Sequence, residues 1–187
     1  MTLFELRRVV LEACAGLAAL HSAGLVHRDV KPANLWLRLP LRGGEKFEPD
    51  KHRDPAVATP LATVVIDFGM VRGIRVDADV AGRFVAGTAG YIAPEQVLDP
   101  VELDPRSDVY ALAGTIYNVT TGRAFFDEID NARERIIAHM KRDPFEDGKR
   151  LEAYPAAIAK LLREATALDP KDRPSPLEFG RAFAAAL

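Results

Sequence analysis

Cysteine is almost absent. Cys14 stands alone, so a disulfide framework is excluded and a reducing, cytoplasmic compartment is expected. That thiol falls on the apolar side of a helical pattern and should be buried and inert. Charge of one sign is scarce too. A formal net charge of −2 over 187 residues gives no electrostatic case for nucleic acid or an anionic membrane surface. No apolar run is long enough to serve as a membrane segment. Arg7-Arg8 followed by VVLEACAGLAAL has the flavour of an export signal, but Glu12 interrupts it and its spacing is amphipathic. His21 and His52 have no partners at metal-ligand spacing and are assigned no role. No internal repeat or low-complexity tract occurs. What remains is a single domain over residues 1–187, with 48% hydrophobic residues, enough to bury a core without metal or cross-links.

Periodicity places the elements. Leu3, Leu6, Val10, Cys14, Leu17 and Leu20 recur at intervals of three and four, one face of a helix. Thr2 and Glu5 form a capping box at its start and Gly24 sits at its stop. NLWLRL (34–39) and TVVIDFG (63–69) read as strands, the second rich in β-branched residues. Between them, residues 40–60 hold four prolines, paired glycines and many charges, and read as a loop insertion. Residues 70–90 show no sustained period and read as loop. Helices are expected over 106–122, with Ser107 as N-cap and Gly122 as stop, and over 129–141 and 155–167. A last helix spans 175–187, opened by Ser175, Pro176 and Glu178. The fold class is therefore mainly α, with one small β-hairpin near the beginning. Trp36 and Phe84 are expected to pack rather than recognise.

The chemistry sits in HRDVKPAN (27–34) and IDFG (66–69). Phosphoryl transfer needs an acceptor hydroxyl aimed in line and the phosphate charge neutralised. An aspartate can orient that hydroxyl and take its proton. A lysine two residues on, in an extended loop, returns to the same side to meet the phosphate. An asparagine oxygen and a second carboxylate suit Mg²⁺, which prefers oxygen ligands. Asp29, Lys31, Asn34 and Asp67 supply that set. HRD recurs at 52–54, but Ala56 and Thr59 replace the lysine and asparagine there, so that copy is coincidence.

These motifs resemble those of Hanks-type (eukaryotic-like) serine/threonine protein kinases. HRDVKPAN resembles the family's catalytic loop, DFG (67–69) its magnesium-binding turn, and APE (93–95) the end of its activation segment, here 67–95. A five-position pattern arises about once in three million start sites at ~1 in 20 per position, and here several follow in the family's order. The resemblance implies a kinase-like α+β fold, ATP and Mg²⁺ as cofactors, and proteins with Ser or Thr acceptors as substrates. It makes Asp29 the catalytic base, Lys31 the phosphate contact and mark of the serine/threonine branch, and Asn34 and Asp67 the metal ligands. Thr88 in GTAGY would hydrogen-bond Asp29 and Lys31. Asp108 would hold the catalytic-loop backbone, Arg173 would pair with Glu95, and Phe68 would stack on His27. Arg28 and Gly69 complete the supporting positions.

Other family features are missing. No G-x-G-x-x-G occurs and no lysine precedes Lys31, so the chain is expected to be the C-terminal lobe without the N-terminal β-rich lobe. A separately supplied N-lobe is one conceivable partner. Between Asp67 and Thr88 there is no Ser, Thr or Tyr to phosphorylate. Asp77 and Asp79 are candidates for a permanent charge facing Arg28, with solvated loop acids as the alternative. Ala33 stands where kinases preferring basic substrates often carry glutamate. Two readings follow: a partial serine/threonine kinase domain, doubtful in activity by itself, or a catalytically inactive kinase-derived scaffold or interaction module.

Overall fold

A computed structural model describes residues 3–38, 62–73, 87–98, 103–146 and 148–187. Thr2 of the expected capping box, the 40–60 insertion with His52, Asp77, Asp79 and Phe84 lie outside the described residues. Helix α1 (Leu3–Ser22) ends where Gly24 takes a left-handed turn at φ 74°. A short strand β1 (Leu25–Val26) follows, then the catalytic-loop stretch and a 3₁₀ turn at Pro32–Asn34. Strand β2 (Leu35–Arg38) pairs antiparallel with β3 (Ala62–Val65), Leu35 opposite Val65 and Arg38 opposite Ala62. The expected hairpin is therefore present, but β3 stops short of the DFG triplet. Asp67 adopts a left-handed conformation, φ 63° and ψ 76°, which no strand accommodates. A second pairing was not legible. Arg72–Gly73 form β4, antiparallel to β1, inside the stretch expected to be loop. Two residues cannot display a period, and the partner lies far back in the chain.

The remaining α-helices among the described residues are α2 (Glu95–Leu98), α3 (Ser107–Thr121), α4 (Ala132–Lys141), α5 (Ala156–Ala165) and α6 (Pro176–Ala185). The body is mostly helical, as expected. Every residue from Ser107 to Tyr117 is buried, so α3 is wrapped on all sides and forms the axis of the core. Ser107 is not its cap, contrary to expectation. Its hydroxyl lies 2.6 Å from a Glu95 carboxylate oxygen and 2.7 Å from the Asp104 carbonyl, while Arg106 occupies the cap position. Gly122 ends the helix at φ 75°. Ser175 and Glu178 form the reciprocal cap expected for α6.

Helix α6 packs closely on α1. A Cβ on Gly180 would sit 3.0 Å from the Cys14 Cβ, so glycine is what lets the two helices approach. Cys14 is fully buried there, and burial pushes its thiol up to about 12, the inert state expected of it. Arg7 donates from Nε to the Ala184 carbonyl at 3.0 Å across the same contact. At the other end of the core, His139 of α4 is enclosed by Phe125, Phe126 and Tyr110. Burial, with Arg135 adding to it, pushes its imidazole down to about 4.

That shift has a sign in stability. Above pH 6.5 the ring is neutral folded or unfolded and contributes no pH dependence. As pH falls from 6.5 towards 4 the unfolded chain takes up a proton that the folded chain refuses. Stability then drops, by up to about 3 kcal/mol at roughly 1.4 kcal/mol per pH unit. Denaturant unfolding between pH 7.5 and 4.5 should show a smaller loss in His139→Gln than in the native chain. Equal losses in both chains would contradict this account.

Candidate active site

The segment after β1 is held from beneath by α3. Asp108 is completely buried, and its carboxylate accepts the backbone N–H of His27 at 2.9 Å and of Arg28 at 2.8 Å. A third partner is the His21 Nε2, 2.7 Å away at the end of α1. Arg28 sits at φ 72°, a strained conformation for a bulky residue. Two N–H groups aimed at one carboxylate explain why the backbone bends that way. Gln96 of α2 closes the loop from the other side. Its amide donates to the Arg28 carbonyl at 2.9 Å and its oxygen accepts the Ala93 N–H at 3.0 Å.

Above this base the expected side chains converge. Asp29 is only 6% exposed. One of its carboxylate oxygens accepts the Thr88 hydroxyl at 2.7 Å. The other lies 2.7 Å from the Lys31 Nζ and accepts from the Asn34 Nδ2 at 3.1 Å. The Asn34 amide also donates to the Asp29 carbonyl at 2.8 Å, and Lys31 donates to the Thr88 hydroxyl at 2.9 Å. Four side chains separated by up to 59 positions thus form one closed network.

Asp67 approaches by way of β3. The Ile66 N–H donates to the Asn34 carbonyl at 2.9 Å, and the Ile66 carbonyl lies 3.0 Å from the His27 Nε2. Asp67 follows directly, exposed, and accepts the Gly69 N–H at 3.2 Å. Phe68 meets His27 with ring centroids 5.8 Å apart and tilted by 58°, a contact looser than a stack. Phe68 remains 58% exposed and Trp36 64%. The expectation that Trp36 packs internally is therefore corrected: alternation along β2 turns Leu35 inward and Trp36 out.

At the far end of the segment, Glu95 and Arg173 form a bidentate pair at 2.6 and 2.8 Å. The Arg173 guanidinium also reaches the carbonyls of Ala167, Leu168 and Arg106, and lies 5.0 Å from the Tyr110 ring centroid. Sequence reasoning overlooked His21, which was weighed only as a metal ligand, and Gln96. A polar residue in the last helical turn before the loop was the available signal for His21; none pointed to Gln96.

A positively bent, buried loop presenting Asp, Lys and Asn, beside a DFG turn on a mostly helical body, defines a class. Residues 1–182 match the family described as the protein kinase domain, and the chain belongs to that family. It is 33% identical over 165 residues to the serine/threonine-protein kinase PknL of Mycobacterium tuberculosis, covering 88% of this chain and 36% of PknL. It is 31% identical over 167 residues to PknB of Mycobacterium tuberculosis, with 88% and 23% covered. PknB of Mycobacterium leprae is similarly 31% identical over 166 residues. The chain thus spans about a third of the length of PknL and a quarter of that of PknB. No helix among the described residues is long and apolar enough to cross a membrane.

Proposed function

We propose that the chain carries the catalytic-loop part of an ATP- and Mg²⁺-dependent protein kinase that phosphorylates Ser and Thr hydroxyls. The observation that carries this reading is the Asp29–Lys31–Asn34–Thr88 network. Asp29 has an oxygen directed to a hydroxyl already, that of Thr88, and would orient an acceptor hydroxyl and take its proton as the bond to phosphorus forms. The bond between phosphorus and the leaving oxygen breaks in the same displacement, and the electron pair departs with ADP. Lys31, held between Asp29 and Thr88, offers its charge to the transferring group. A hydroxyl at Thr88 that bridges the two keeps both side chains at a fixed separation.

The residues fit a hard divalent cation. Asn34 commits its Nδ2 to Asp29, which leaves its amide oxygen as donor atom, and Asp67 presents an exposed carboxylate. Among the described residues no cluster of three or more His, Cys, Asp or Glu could hold a metal alone. The other positions then fall to phosphate oxygens and water, as is usual for Mg²⁺. Bound there, the ion would neutralise phosphate charge.

No glycine-rich cover or preceding lysine occurs in these 187 residues. The isolated chain should therefore bind Mg²⁺-ATP with a dissociation constant of ~1 mM or weaker, about 4 kcal/mol of binding. An NMR titration tests both points: the backbone resonances of Asn34, Asp67 and their neighbours should move first. Micromolar affinity, or shifts confined to other surfaces, would overturn the proposal. A kinase-derived interaction module is the second reading, favoured by the exposed apolar side chains of Trp36, Val64, Phe68 and Met70. Phosphoamino-acid analysis of an acceptor protein, after reaction with the complete protein, separates the two. Phosphoserine or phosphothreonine supports the enzyme, and no transfer supports the module.

A further inference from the structure

Arg28 is held in its left-handed conformation by more than the buried carboxylate beneath it. Its φ and ψ set the angle between two peptide planes, and a different side chain grips each plane. Asp108 takes the Arg28 N–H at 2.8 Å, which fixes the plane before the residue. Gln96 donates from Nε2 to the Arg28 carbonyl at 2.9 Å, which fixes the plane after it. That second plane carries the N–H of Asp29. A bulky residue at φ 72° persists only where its surroundings over-determine it. Gln96 is 1% exposed and cannot swing away to water. The Ala93 N–H, donating to Oε1 at 3.0 Å, fixes which way its amide points. A flipped amide would set donor against donor at Ala93 and acceptor against acceptor at Arg28.

The same amide joins two parts of the site. Ala93 ends the stretch that begins at Thr88, whose hydroxyl donates to Asp29. Within that stretch the Tyr91 and Ile92 N–H groups turn back to the Thr88 carbonyl. Gly87, at φ 138°, passes so near that a Cβ there would sit 3.3 Å from the Arg28 carbonyl oxygen. That oxygen is therefore a junction between the catalytic loop and the segment that follows Gly87. We propose that Gln96 is a positioning residue, which orients the Arg28–Asp29 peptide and so sets the Asp29 carboxylate against Thr88. The direct bond between Asp29 and Thr88 joins their side chains; Gln96 joins the backbones that carry them. An apolar residue of the same length would fill the space and leave the carbonyl of the buried Arg28 without this donor. The worth of a placed Asp29 rests on the kinase reading; the placement itself does not.

Hydrogen exchange on the chain itself tests the placement without catalysis. Gln96→Met removes donor and acceptor at nearly constant length. Amide protection at Asp29 and Ala93 should then fall roughly tenfold, the factor of about one hydrogen bond, with α5 and α6 unchanged. Loss at Ala93 with Asp29 unaltered would mean that Gln96 only caps α2, and would overturn the proposal. Gln96→Glu keeps the acceptor for Ala93 but offers Arg28 a donor only while its carboxyl is protonated. Burial raises the pKa of such a group, so Asp29 protection in this variant should fall as pH rises from about 5 to about 9. The step is read as the difference from the native profile, since His21, His27 and Asp108 are common to both chains. A difference that stays flat would also overturn the proposal, and it decides the matter should Gln96→Met loosen the whole chain. In the complete protein, Gln96→Met should lower kcat about tenfold with KM for the acceptor little changed, because a misplaced base loses rate rather than binding. Unchanged kcat in a protein whose native form transfers phosphate overturns the positioning role. No transfer by the native form removes the kinase reading instead, and the exchange results still decide the placement.

Discussion

Replacing Asp29 with asparagine should reduce phosphotransfer by the complete protein roughly 10²–10⁴-fold, the usual worth of a positioned general base. The amide has almost the shape of the carboxylate. Its oxygen can still accept from Asn34 and Lys31, the two donors on one side of Asp29. On the other side the new NH₂ meets the Thr88 oxygen, so the Thr88 hydroxyl must turn away. A charge-assisted hydrogen bond is thereby exchanged for a neutral one, and stability should change by only about 1 kcal/mol. What disappears is proton affinity and the negative charge beside Lys31. Steady-state phosphotransfer, measured together with denaturant unfolding, separates the two effects. Full turnover by Asp29→Asn would remove Asp29 from the role of base.

Arg173→Ala should behave in the opposite manner, destabilising the fold by roughly 3–5 kcal/mol as expected when one partner of a buried ion pair is deleted. The guanidinium is completely buried and Glu95 nearly so. Removal strands that carboxylate, with only Ser107 among the described residues still donating to it. It also leaves three carbonyls without the donor they share, those of Ala167, Leu168 and Arg106. A domain of ordinary stability, about 5–15 kcal/mol, would lose a large part of its margin. The double variant Arg173→Ala, Glu95→Ala should recover some of the loss, because no charge is then buried alone. Denaturant midpoints provide the measurement. A loss below about 1 kcal/mol in the single variant would show that water reaches the pair.

The helices could be read in advance because their signals are local. The three-and-four spacing of Leu6, Val10, Cys14 and Leu17 is repeated as burial along α1, and the Ser175 and Glu178 cap lies within one turn. Asp29, Lys31 and Asn34 were legible for the same reason, being packed into a few consecutive positions. Thr88, Asp108 and Arg173 were reached only through resemblance to a family, since nothing near them in sequence announces their partners. Beyond that lay His21, Gln96 and His139, whose hydrogen bonds run to residues 87, 68 and 29 positions away. Ser107 shows the same limit from the other side. A serine at a helix start looks like a cap, yet a distant carboxylate captures its hydroxyl. Pairing of β1 with β4 was hidden because two residues carry no pattern.

The register of β2 against β3 has one more consequence. Arg38 and Ala62 face each other, so strand pairing fixes the two points that residues 39–61 connect. Halving or doubling such a connector alters the entropy of closing it by only about 0.6 kcal/mol. Evolution could lengthen, shorten or rewrite that stretch at small thermodynamic penalty while Asn34 and Asp67 stayed where the ladder puts them. Diversity among related proteins should therefore accumulate there, as a place where new attachments can be tried without disturbing what lies on either side.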